Sequence, residues 1–483
     1  MKRSYKVLAV IVSVLPLLVL MVLSYRSCLW VDSSVILVEM ERIAEGFVPY
    51  RTMHLNYPPL WFYMMAGLKK LFSVPYGCYP FYLTVHYLFT AGCSWLVFAI
   101  SRRMGARVWA SLLSVWIMLL ACFWMYGDRV LFEMPSLFFG LLSVLLVLSF
   151  RDGKRYHFIY IGAISGCAFL VKQFGVGFLL LDIYLILFYC RERISGKLVR
   201  FLAGYSVPIV ICLAIWRMDI VSSVLMNGYG GEEVRMMVGG VGYNFVKRLI
   251  VGSAYFCLRF PFVVLSVWAF PWIARIGKWK EVLFCLCGIG GFLLQMKFIV
   301  ITTPALQQPQ SHYLLYVLPF AAMLLALMLS FENQTKCYRV VLLCCVCVSV
   351  AYSGYRIARF SIPGYLDEDS REMQRETADR VNGLIDGSKT VWIADGSLEY
   401  LYYLCNLYPA DMKNIGYSTG CFEITPEKAL SEVHQADYVI YYDDRGEPDW
   451  WRCYFSTEVQ DYVYGHPSVV VDRNQNIALS VLK

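Results

Sequence analysis

Two carboxylates lie beside long apolar runs of the sequence, where an unpaired charge is costly to hold. Asp32 directly follows the first apolar run, and Glu133 opens another within the stretch YGDRVLFEMPSL. An ionisable group at a membrane boundary needs a partner or a task. Because a carboxylate can accept the proton of a hydroxyl nucleophile, we take Asp32 and Glu133 as the candidate catalytic residues.

Cationic side chains recur beside other apolar runs. Lys172 stands at the mouth of two predicted helices, Arg259 is flanked by apolar residues, and His312 precedes a further run. Acids and bases that converge at one membrane depth suit a binding site for an anionic group, which these three cations would contact. The same loops supply further candidate substrate-binding residues: Glu39, Arg51, Tyr57, Asp128, Arg129, Gln173 and Tyr313.

Each candidate also has a simpler interpretation. Asp32 could cap a helix that begins near Ser33, Glu133 could cap its helix or pair with Arg129, and Lys172 could extend to the membrane interface. Four other interpretations are purely structural: a solvated loop acid at Asp128, an interfacial residue at His312, a turn at Tyr57, and the solvated face of a surface helix at Glu39, Glu41 and Glu45.

The composition places these residues in a membrane protein. Of the 483 residues, 59% are hydrophobic and only 16% are charged, and the mean hydropathy is +0.55. Soluble domains have about 25% charged residues. The net charge of +8 comes from short basic clusters between apolar runs, a pattern that anchors cytoplasmic loops. This distribution excludes nucleic-acid binding.

The apolar runs predict a polytopic protein of the cell's inner (plasma) membrane. Residues 7–23 follow Lys2-Arg3 like a signal peptide, but no small-x-small cleavage site follows, so they predict an uncleaved first helix. The alternation of basic loops predicts a cytoplasmic N-terminus and an extracytoplasmic C-terminal tail. Eleven spans are predicted, at roughly 6–24, 79–101, 107–125, 134–150, 156–171, 174–190, 198–216, 252–273, 281–301, 312–331 and 338–357.

The chain is predicted to have two domains. Residues 1–360 form the all-α transmembrane domain, whose first outer loop, 25–78, carries surface helices that include 58–72. Residues 361–483 are mixed in composition and long enough for their own core. They predict a small extracytoplasmic α/β domain with a helix at 368–386 and strands at 389–394, 437–442, 468–472 and 477–482.

The cysteines and the glycine-rich stretch carry weaker signals. Most of the seventeen cysteines lie inside apolar runs, and no spacing predicts a metal site. Cys405, Cys421 and Cys453 lie in the polar tail and could include one disulfide. Residues 226–244 lack the ending of a phosphate-binding loop; they predict a flexible loop that closes over substrate, with plain disorder as the alternative.

The motifs resemble a known family in their order. An acid after the first helix is followed by G-x-x-PYR, NYPPL, R-x-x-x-EMPSL, LVKQFG and HYLLYVLP. This order, from Leu8 to Leu329, resembles the bacterial GT-C superfamily of integral-membrane glycosyltransferases. That group includes the protein mannosyltransferases and lipid A aminoarabinose transferase.

The resemblance implies sugar transfer at the outer face of the membrane. The donor would be a sugar on a polyprenyl phosphate, and the acceptor a hydroxyl of a glycan, lipid or protein. Asp32 matches the general base, Glu133 an acid that is commonly Asp, and Lys172 the lysine of a KQ stretch. The donor phosphate would be bound by Lys172, Arg259 and His312, with inversion at the anomeric carbon. No cofactor is certain, since use of a divalent cation, Mg or Mn, varies within the family.

Other functions fit the same composition. The main alternative is a flippase or transporter of a lipid-linked glycan, although transport favours charges near the bilayer midplane and inverted halves. Here the ionisable residues gather at one face and the predicted number of spans is odd. A glycan polymerase or ligase would still transfer from a lipid carrier. A purely structural membrane anchor would leave the acids unexplained.

Overall fold

The computed structural model describes most of the chain. The described residues are 17–19, 21–29, 31–53, 55, 57–125, 127, 129–151, 154, 156–190, 192–221, 250, 253–299, 311–332, 334–387, 389–394, 398–410, 426–443, 457–472 and 475–483.

The described residues form two compact units. The first contains those of Met1–Ser24, Leu83–Arg217 and Val238–Pro363. The second contains those of Tyr25–Tyr82, Met218–Met237 and Gly364–Lys483. The first outer loop and the polar tail therefore belong to one unit, although they lie at opposite ends of the chain. The predicted domain boundary at residue 360 stays a prediction.

The first unit is built from apolar helices, because nearly every position in its long runs is a good helix former or a packing residue. Its helices are Tyr79–Arg103 (from Leu83 onward), Val108–Trp124, Glu133–Ser149, His157–Val171, Val176–Tyr189, Ile194–Val221, Phe262–Trp268, Phe270–Arg275, Trp279–Ile299, Leu318–Ser330 and Lys336–Arg356. Short 3₁₀ segments, Gln173–Gly175 and Ser311–Tyr316, precede two of them, and a π-helical turn, Ile357–Ser361, follows the last.

Three helices among the described residues are long and apolar enough to cross a membrane, namely Tyr79–Arg103, Ile194–Val221 and Lys336–Gly364. Shorter apolar helices lie at most of the other predicted spans. The predicted class, a helical polytopic membrane protein with a small C-terminal α/β part, is confirmed. The count of eleven spans stays a prediction.

Close helix packing fixes the ends of neighbouring helices. The helix His157–Val171 carries Gly162 and Gly166, which face the backbone of Phe201 and Tyr205 with no room for a Cβ atom. Small residues four apart allow this approach between membrane helices. The same helix packs along Glu133–Ser149. The C-terminal end of one helix therefore meets the N-terminal end of the other, and their polar end residues lie together.

The second unit combines two loop helices with the tail. Its helices are Val31–Glu45, Leu60–Leu71, Ile362–Leu366 (from Gly364), Glu368–Leu384, Tyr400–Leu404, Pro426–Gln435 and Thr457–Tyr464. The predicted helices at 58–72 and 368–386 are thus present. Val31–Glu45 packs against both Leu60–Leu71 and Tyr400–Leu404.

The tail contains a mixed five-stranded sheet. Its strands are β1 (Thr390–Ile393), β2 (Tyr408–Pro409), β3 (Tyr438–Tyr442), β4 (Ser468–Asp472) and β5 (Ile477–Val481), in the order β2-β1-β3-β5-β4. The pairs β1–β2 and β1–β3 are parallel, and β3–β5 and β4–β5 are antiparallel. All four predicted strands are confirmed, and only the two-residue β2 was not expected.

The tail has its own hydrophobic core, built from strand and helix residues such as Trp392, Val439, Val433 and Val459. Cys405 is a free thiol whose Sγ lies 3.4 Å from the carbonyl oxygen of Ala378. The other two cysteines of the proposed disulfide set, Cys421 and Cys453, lie outside the described residues.

The prediction of a solvated acidic face on the first loop helix is wrong for two of its three acids. Glu39 is 3% exposed and Glu41 is fully buried, and only Glu45 keeps partial exposure. Glu41 pairs with Lys69 and accepts a hydrogen bond from the Gly77 backbone N–H at 3.1 Å. Because Val31–Glu45 packs between other helices of its unit, its acids are enclosed rather than solvated.

Candidate functional site

A buried ion pair joins two of the predicted site residues in the first unit. Glu133 is the first residue of the helix Glu133–Ser149 and Lys172 directly follows the helix His157–Val171. The Lys172 ammonium donates a hydrogen bond to Oε1 of Glu133. The two side chains are 1% and 3% exposed. Charges removed from water to this degree must neutralise one another, so each residue holds the other in place.

The local sequence KQFG explains how Lys172 reaches this position. Lys172 is extended (φ −154°, ψ 141°) between a helix and the short 3₁₀ segment Gln173–Gly175. The Gly175 N–H donates to the Lys172 carbonyl at 2.8 Å, and a Cβ atom at Gly175 would collide with the Ala168 backbone. The helix therefore breaks at Lys172 and turns its side chain toward Glu133.

Aromatic rings enclose the ammonium group. Its Nζ lies 4.5 Å from the ring centroid of Tyr313, and Phe174 stacks on Tyr313 with a centroid separation of 4.9 Å. Tyr313 belongs to the 3₁₀ segment Ser311–Tyr316. A cation over a π face is attracted by the ring quadrupole, so the KQFG and SHYLLY stretches form one wall around Lys172.

His312 completes this group. It is 5% exposed, and its ring centroid lies 4.1 Å from that of Tyr313. It interacts electrostatically with Glu133 and with Arg129. We call Glu133, Lys172, Gln173, His312 and Tyr313 the Glu133 cluster. The structure thus brings together residues from three separate segments of the sequence, all of which were predicted site residues.

One carboxylate oxygen of the Glu133 cluster has no hydrogen bond to the described residues. Oε2 of Glu133 is buried and has no hydrogen-bond partner within the described residues. A buried carboxylate oxygen normally accepts at least one hydrogen bond. This oxygen is therefore available to accept a hydrogen bond from a hydroxyl or amine of a bound substrate.

Arg259 lies in a second polar group of the same unit, which we call the Arg259 cluster: Arg259, Arg356, Trp124, Tyr255 and Tyr352. The Arg259 guanidinium carbon lies 4.7 Å from the Tyr352 ring centroid and 5.6 Å from that of Trp124. Arg356 lies 5.7 Å from the same Trp124 ring. Two guanidinium groups thus share one aromatic platform, which is a favourable setting for a desolvated anion.

Arg356 is not part of the motif order, but its place in the sequence sets it apart. Arg356 is the last residue of the helix Lys336–Arg356, at the end predicted to face outward. Basic residues concentrate on the cytoplasmic side, so an arginine at an outer helix end is unusual and needs a reason.

The remaining predicted site residues are placed as follows. Asp32 is the second residue of the helix Val31–Glu45 in the second unit, and its side chain lies outside the described residues. Its position relative to Glu133 and Lys172 stays a prediction. Asp128 and residues 226–244 also lie outside the described residues.

The turn after the first loop helix is ordered by its own hydrogen bonds. The Tyr50 hydroxyl donates to the Tyr57 carbonyl at 2.6 Å, and the Val48 N–H donates to the Thr52 hydroxyl at 2.7 Å. Arg51 is exposed and Tyr57 is half-buried. The structural role proposed for the turn is thus observed, while the substrate-binding roles of Arg51 and Tyr57 stay predictions.

The part of the chain that the structure describes contains no group of three or more His, Cys, Asp or Glu side chains that could hold a metal ion. A role for Mg or Mn therefore stays a prediction, and no chemical step below uses one.

The structure resembles solved protein structures, which share little sequence identity with this chain. No protein-family profile and no functionally curated protein matches the sequence. The crystal structure of ArnT from Cupriavidus metallidurans bound to undecaprenyl phosphate matches with a TM-score of 0.63 at 12% identity, covering 100% of this chain and 99% of that one. Its apo state matches with a TM-score of 0.62 at 12% identity, covering 99% and 98% of the two chains.

A more distant likeness points to the same fold. The oligosaccharyltransferase AglB from Archaeoglobus fulgidus, in complex with an inhibitory peptide and a dolichol-phosphate, matches with a TM-score of 0.51 at 9% identity. The match covers 97% of this chain and 74% of that one. The described part of the chain therefore has the fold that these solved structures share, which is the fold expected from its motif order.

Proposed function

We propose that the protein is a membrane glycosyltransferase that moves a sugar from a polyprenyl phosphate to a hydroxyl of a glycan, lipid or protein acceptor. The observation that carries the proposal is the Glu133 cluster, a buried acid–cation pair with one unpaired carboxylate oxygen. It is supported by the fold, which ArnT shares while bound to undecaprenyl phosphate. The specific sugar, a hexose or a pentose, is left open.

The reaction needs a base for the acceptor. A sugar or lipid hydroxyl is a weak nucleophile at neutral pH, and a carboxylate that accepts its proton in the transition state contributes about 10²–10⁴-fold. We assign this role to Asp32, as the motif order implies. Glu133 would bind the reacting sugar through its free oxygen Oε2 while Lys172 holds Oε1.

The reaction also needs positive charge near the leaving group. When the bond between the anomeric carbon and the phosphate oxygen breaks, negative charge develops on the phosphate, and fixed cations stabilise it. We assign Lys172, His312 and Arg259 to this task, with Arg356 beside Arg259. Direct displacement by the acceptor would invert the anomeric centre.

The proposal includes a direction across the membrane. Trp124, Glu133, Lys172, His312 and Arg356 all lie at helix ends that the charge alternation predicts to face outward. The N-terminus would be cytoplasmic and the unit with the tail extracytoplasmic. The protein would then act at the outer face of the inner (plasma) membrane.

The proposal is tested by transfer from a synthetic polyprenyl-phosphate sugar with a radiolabelled sugar, using purified protein and an envelope glycolipid extract as acceptor. Asp32→Asn should lower transfer by about 10²-fold or more because the base is lost. Asp182→Asn is the matched control. Asp182 is a fully buried acid that accepts a hydrogen bond from Ser143 at 2.7 Å, outside the proposed site.

Two results would count against this mechanism. Equal transfer by the wild type and Asp32→Asn would remove Asp32 from the chemistry. If labelled lipid crosses vesicle membranes in a manner that depends on Asp32, without any transferred sugar, the protein would be a transporter.

A further inference from the structure

A cavity of about 180 Å³ lies within the second unit, and none of the residues assigned to sugar transfer lines it. Its walls come from the chain after the first apolar helix, from the segment that starts the helix Tyr79–Arg103, and from the helix Glu368–Leu384. It has room for several water molecules and can therefore hold a small polar group.

The cavity is lined by two guanidinium groups. Arg371 and Arg375 lie four residues apart, hence on the same face of their helix. Like charges at this spacing repel each other unless an anion lies between them. None of the described residues that line the cavity is an aspartate or glutamate. The wall thus carries a net positive charge that the lining itself does not neutralise.

Hydrogen bonds hold this wall in place. Gln374 lies between the two arginines and bonds both the N–H and the carbonyl of Leu29, at 2.9 and 3.1 Å. Arg371 donates to the Arg26 carbonyl at 3.5 Å and lies 5.7 Å from the Tyr25 ring centroid. Arg371 is therefore held in position before any ligand arrives, which lowers the entropic cost of binding, while Arg375 is exposed on the same helix face.

A tyrosine adds a buried hydroxyl group to the lining of the cavity. Tyr403 lines the cavity and is 1% exposed, and its hydroxyl has no hydrogen-bond partner among the described residues. Burial raises the pKa of this hydroxyl, so it stays protonated and can act only as a neutral donor or acceptor. The lining therefore provides donors and no anionic acceptor.

The position of the cavity in the chain relates it to the membrane surface. Tyr25 lies in the last turn of the first apolar helix, and Tyr79 begins the apolar helix Tyr79–Arg103. Tyrosines at the ends of membrane helices lie at the depth of the lipid headgroups. Arginine forks match the geometry of phosphate oxygens. We propose that this cavity binds a phosphate group, presented by a lipid headgroup or free in solution.

Binding is tested on the purified full-length protein in detergent. The probes are dihexanoyl phosphatidic acid, the matching diacylglycerol and inorganic phosphate, with affinity measured by calorimetry. We expect the wild type to bind the phosphatidic acid at least about tenfold more tightly than the diacylglycerol, because only the former offers charge-assisted hydrogen bonds. Arg371→Gln/Arg375→Gln should lose that preference, and the exposed single variant Arg375→Gln should lose part of it.

Two controls isolate the site. Lys389→Gln/Lys483→Gln removes the same charge from exposed positions of the same unit and should bind like the wild type. Lys172→Gln should also leave this binding unchanged, which separates the cavity from the proposed sugar-transfer site. Competition by inorganic phosphate would support the cavity as a site for the phosphate group alone. Wild-type affinity in the double arginine variant, or no preference for phosphatidic acid in the wild type, would overturn the proposal.

Discussion

At the scale of single residues, the ion pair between Glu133 and Lys172 is the feature that the rest of the proposed site depends on. Sequence reasoning identified both residues, because an ionisable group beside an apolar run is conspicuous. It did not identify their pairing, since nothing in the spacing favours Lys172 over Arg129 as the partner of Glu133. The pairing depends on helix packing, which places the end of His157–Val171 beside the start of Glu133–Ser149.

Removing one charge of the Glu133–Lys172 pair should destabilise the protein much more than removing both charges. Lys172→Gln leaves a buried carboxylate without a counter-charge, so we expect a loss of about 3–5 kcal/mol in the free energy of unfolding. The double variant Glu133→Gln/Lys172→Gln should lose clearly less. Chemical unfolding in detergent measures both values.

The matched control for this cycle is Lys197→Gln. Lys197 is also 3% exposed and lies 5.5 Å from the Phe158 ring centroid, and it donates a hydrogen bond to the backbone carbonyl of Arg151 rather than to an acid. If the loss in the double variant equals the sum of the losses in Lys172→Gln and in Glu133→Gln alone, Glu133 and Lys172 are not coupled.

The environment of Glu39 differs from the one that its sequence context predicts. Its position in an acidic stretch suggested solvent, whereas burial raises the pKa of its carboxyl well above the usual value. Below the unfolded-state pKa of about 4.3, this acid is protonated in both states and its burial has no ionisation cost. As pH rises from there through the folded-state pKa, the unfolded state releases the proton first, so the free energy of unfolding decreases. The stability of Glu39→Gln relative to the wild type should therefore increase from about pH 5 to about pH 8, that is, from about one to about four pH units above the unfolded-state pKa.

Thermal unfolding across this pH range measures the effect, with the exposed Glu372→Gln as the control. A Glu39→Gln variant less stable than the wild type at the upper pH would show that Glu39 is ionised and held by a charged partner.

At the scale of elements, the first outer loop packs with the tail in one unit. Arg42 is fully buried, donates to the Leu407 carbonyl at 2.8 Å and lies 3.9 Å from the Tyr408 ring centroid. Strands and helices of the tail were predictable because alternation and amphipathic periodicity are local. These contacts were not, because they join residues more than three hundred positions apart.

Two adjacent lysines allow a sharp test of this packing. Lys69 is buried and paired with Glu41, whereas Lys70 is exposed. Lys69→Met should cost about 3 kcal/mol because Glu41 is left buried and unpaired, while Lys70→Met should stay within about 0.5 kcal/mol of the wild type. Limited proteolysis and chemical unfolding report on the loop. Equal stability of the two variants would mean that the Glu41–Lys69 pair does not hold the loop helices together.

At the scale of the whole molecule, composition and charge alternation were enough to predict a polytopic membrane protein, and motif order was enough to predict its fold. The structural similarity to ArnT is found at 12% identity, because a fold constrains the pattern of apolar runs far more than the identity of each residue. The position of Asp32 relative to Glu133 stays a prediction, because it depends on the arrangement of separate segments in space, which local patterns do not contain.

The predicted topology can be tested with reporter fusions. Alkaline phosphatase, which is active only outside the cytoplasm, should be active when fused after Lys483 and inactive when fused after Arg103, a basic helix end on the predicted inner face. A green fluorescent reporter should give the opposite pattern. Active phosphatase at both positions would contradict the predicted alternation.

The most direct test of sugar transfer is a single-turnover measurement with purified protein and the labelled polyprenyl-phosphate sugar. The wild type should release one polyprenyl phosphate for each sugar joined to the acceptor. Lys172→Gln should slow this step by about 10²-fold, since removal of one charge-stabilising group costs about that much, while Lys197→Gln should keep the wild-type rate. Equal rates for the two lysine variants, or release of polyprenyl phosphate without a glycosylated product, would contradict the proposed function.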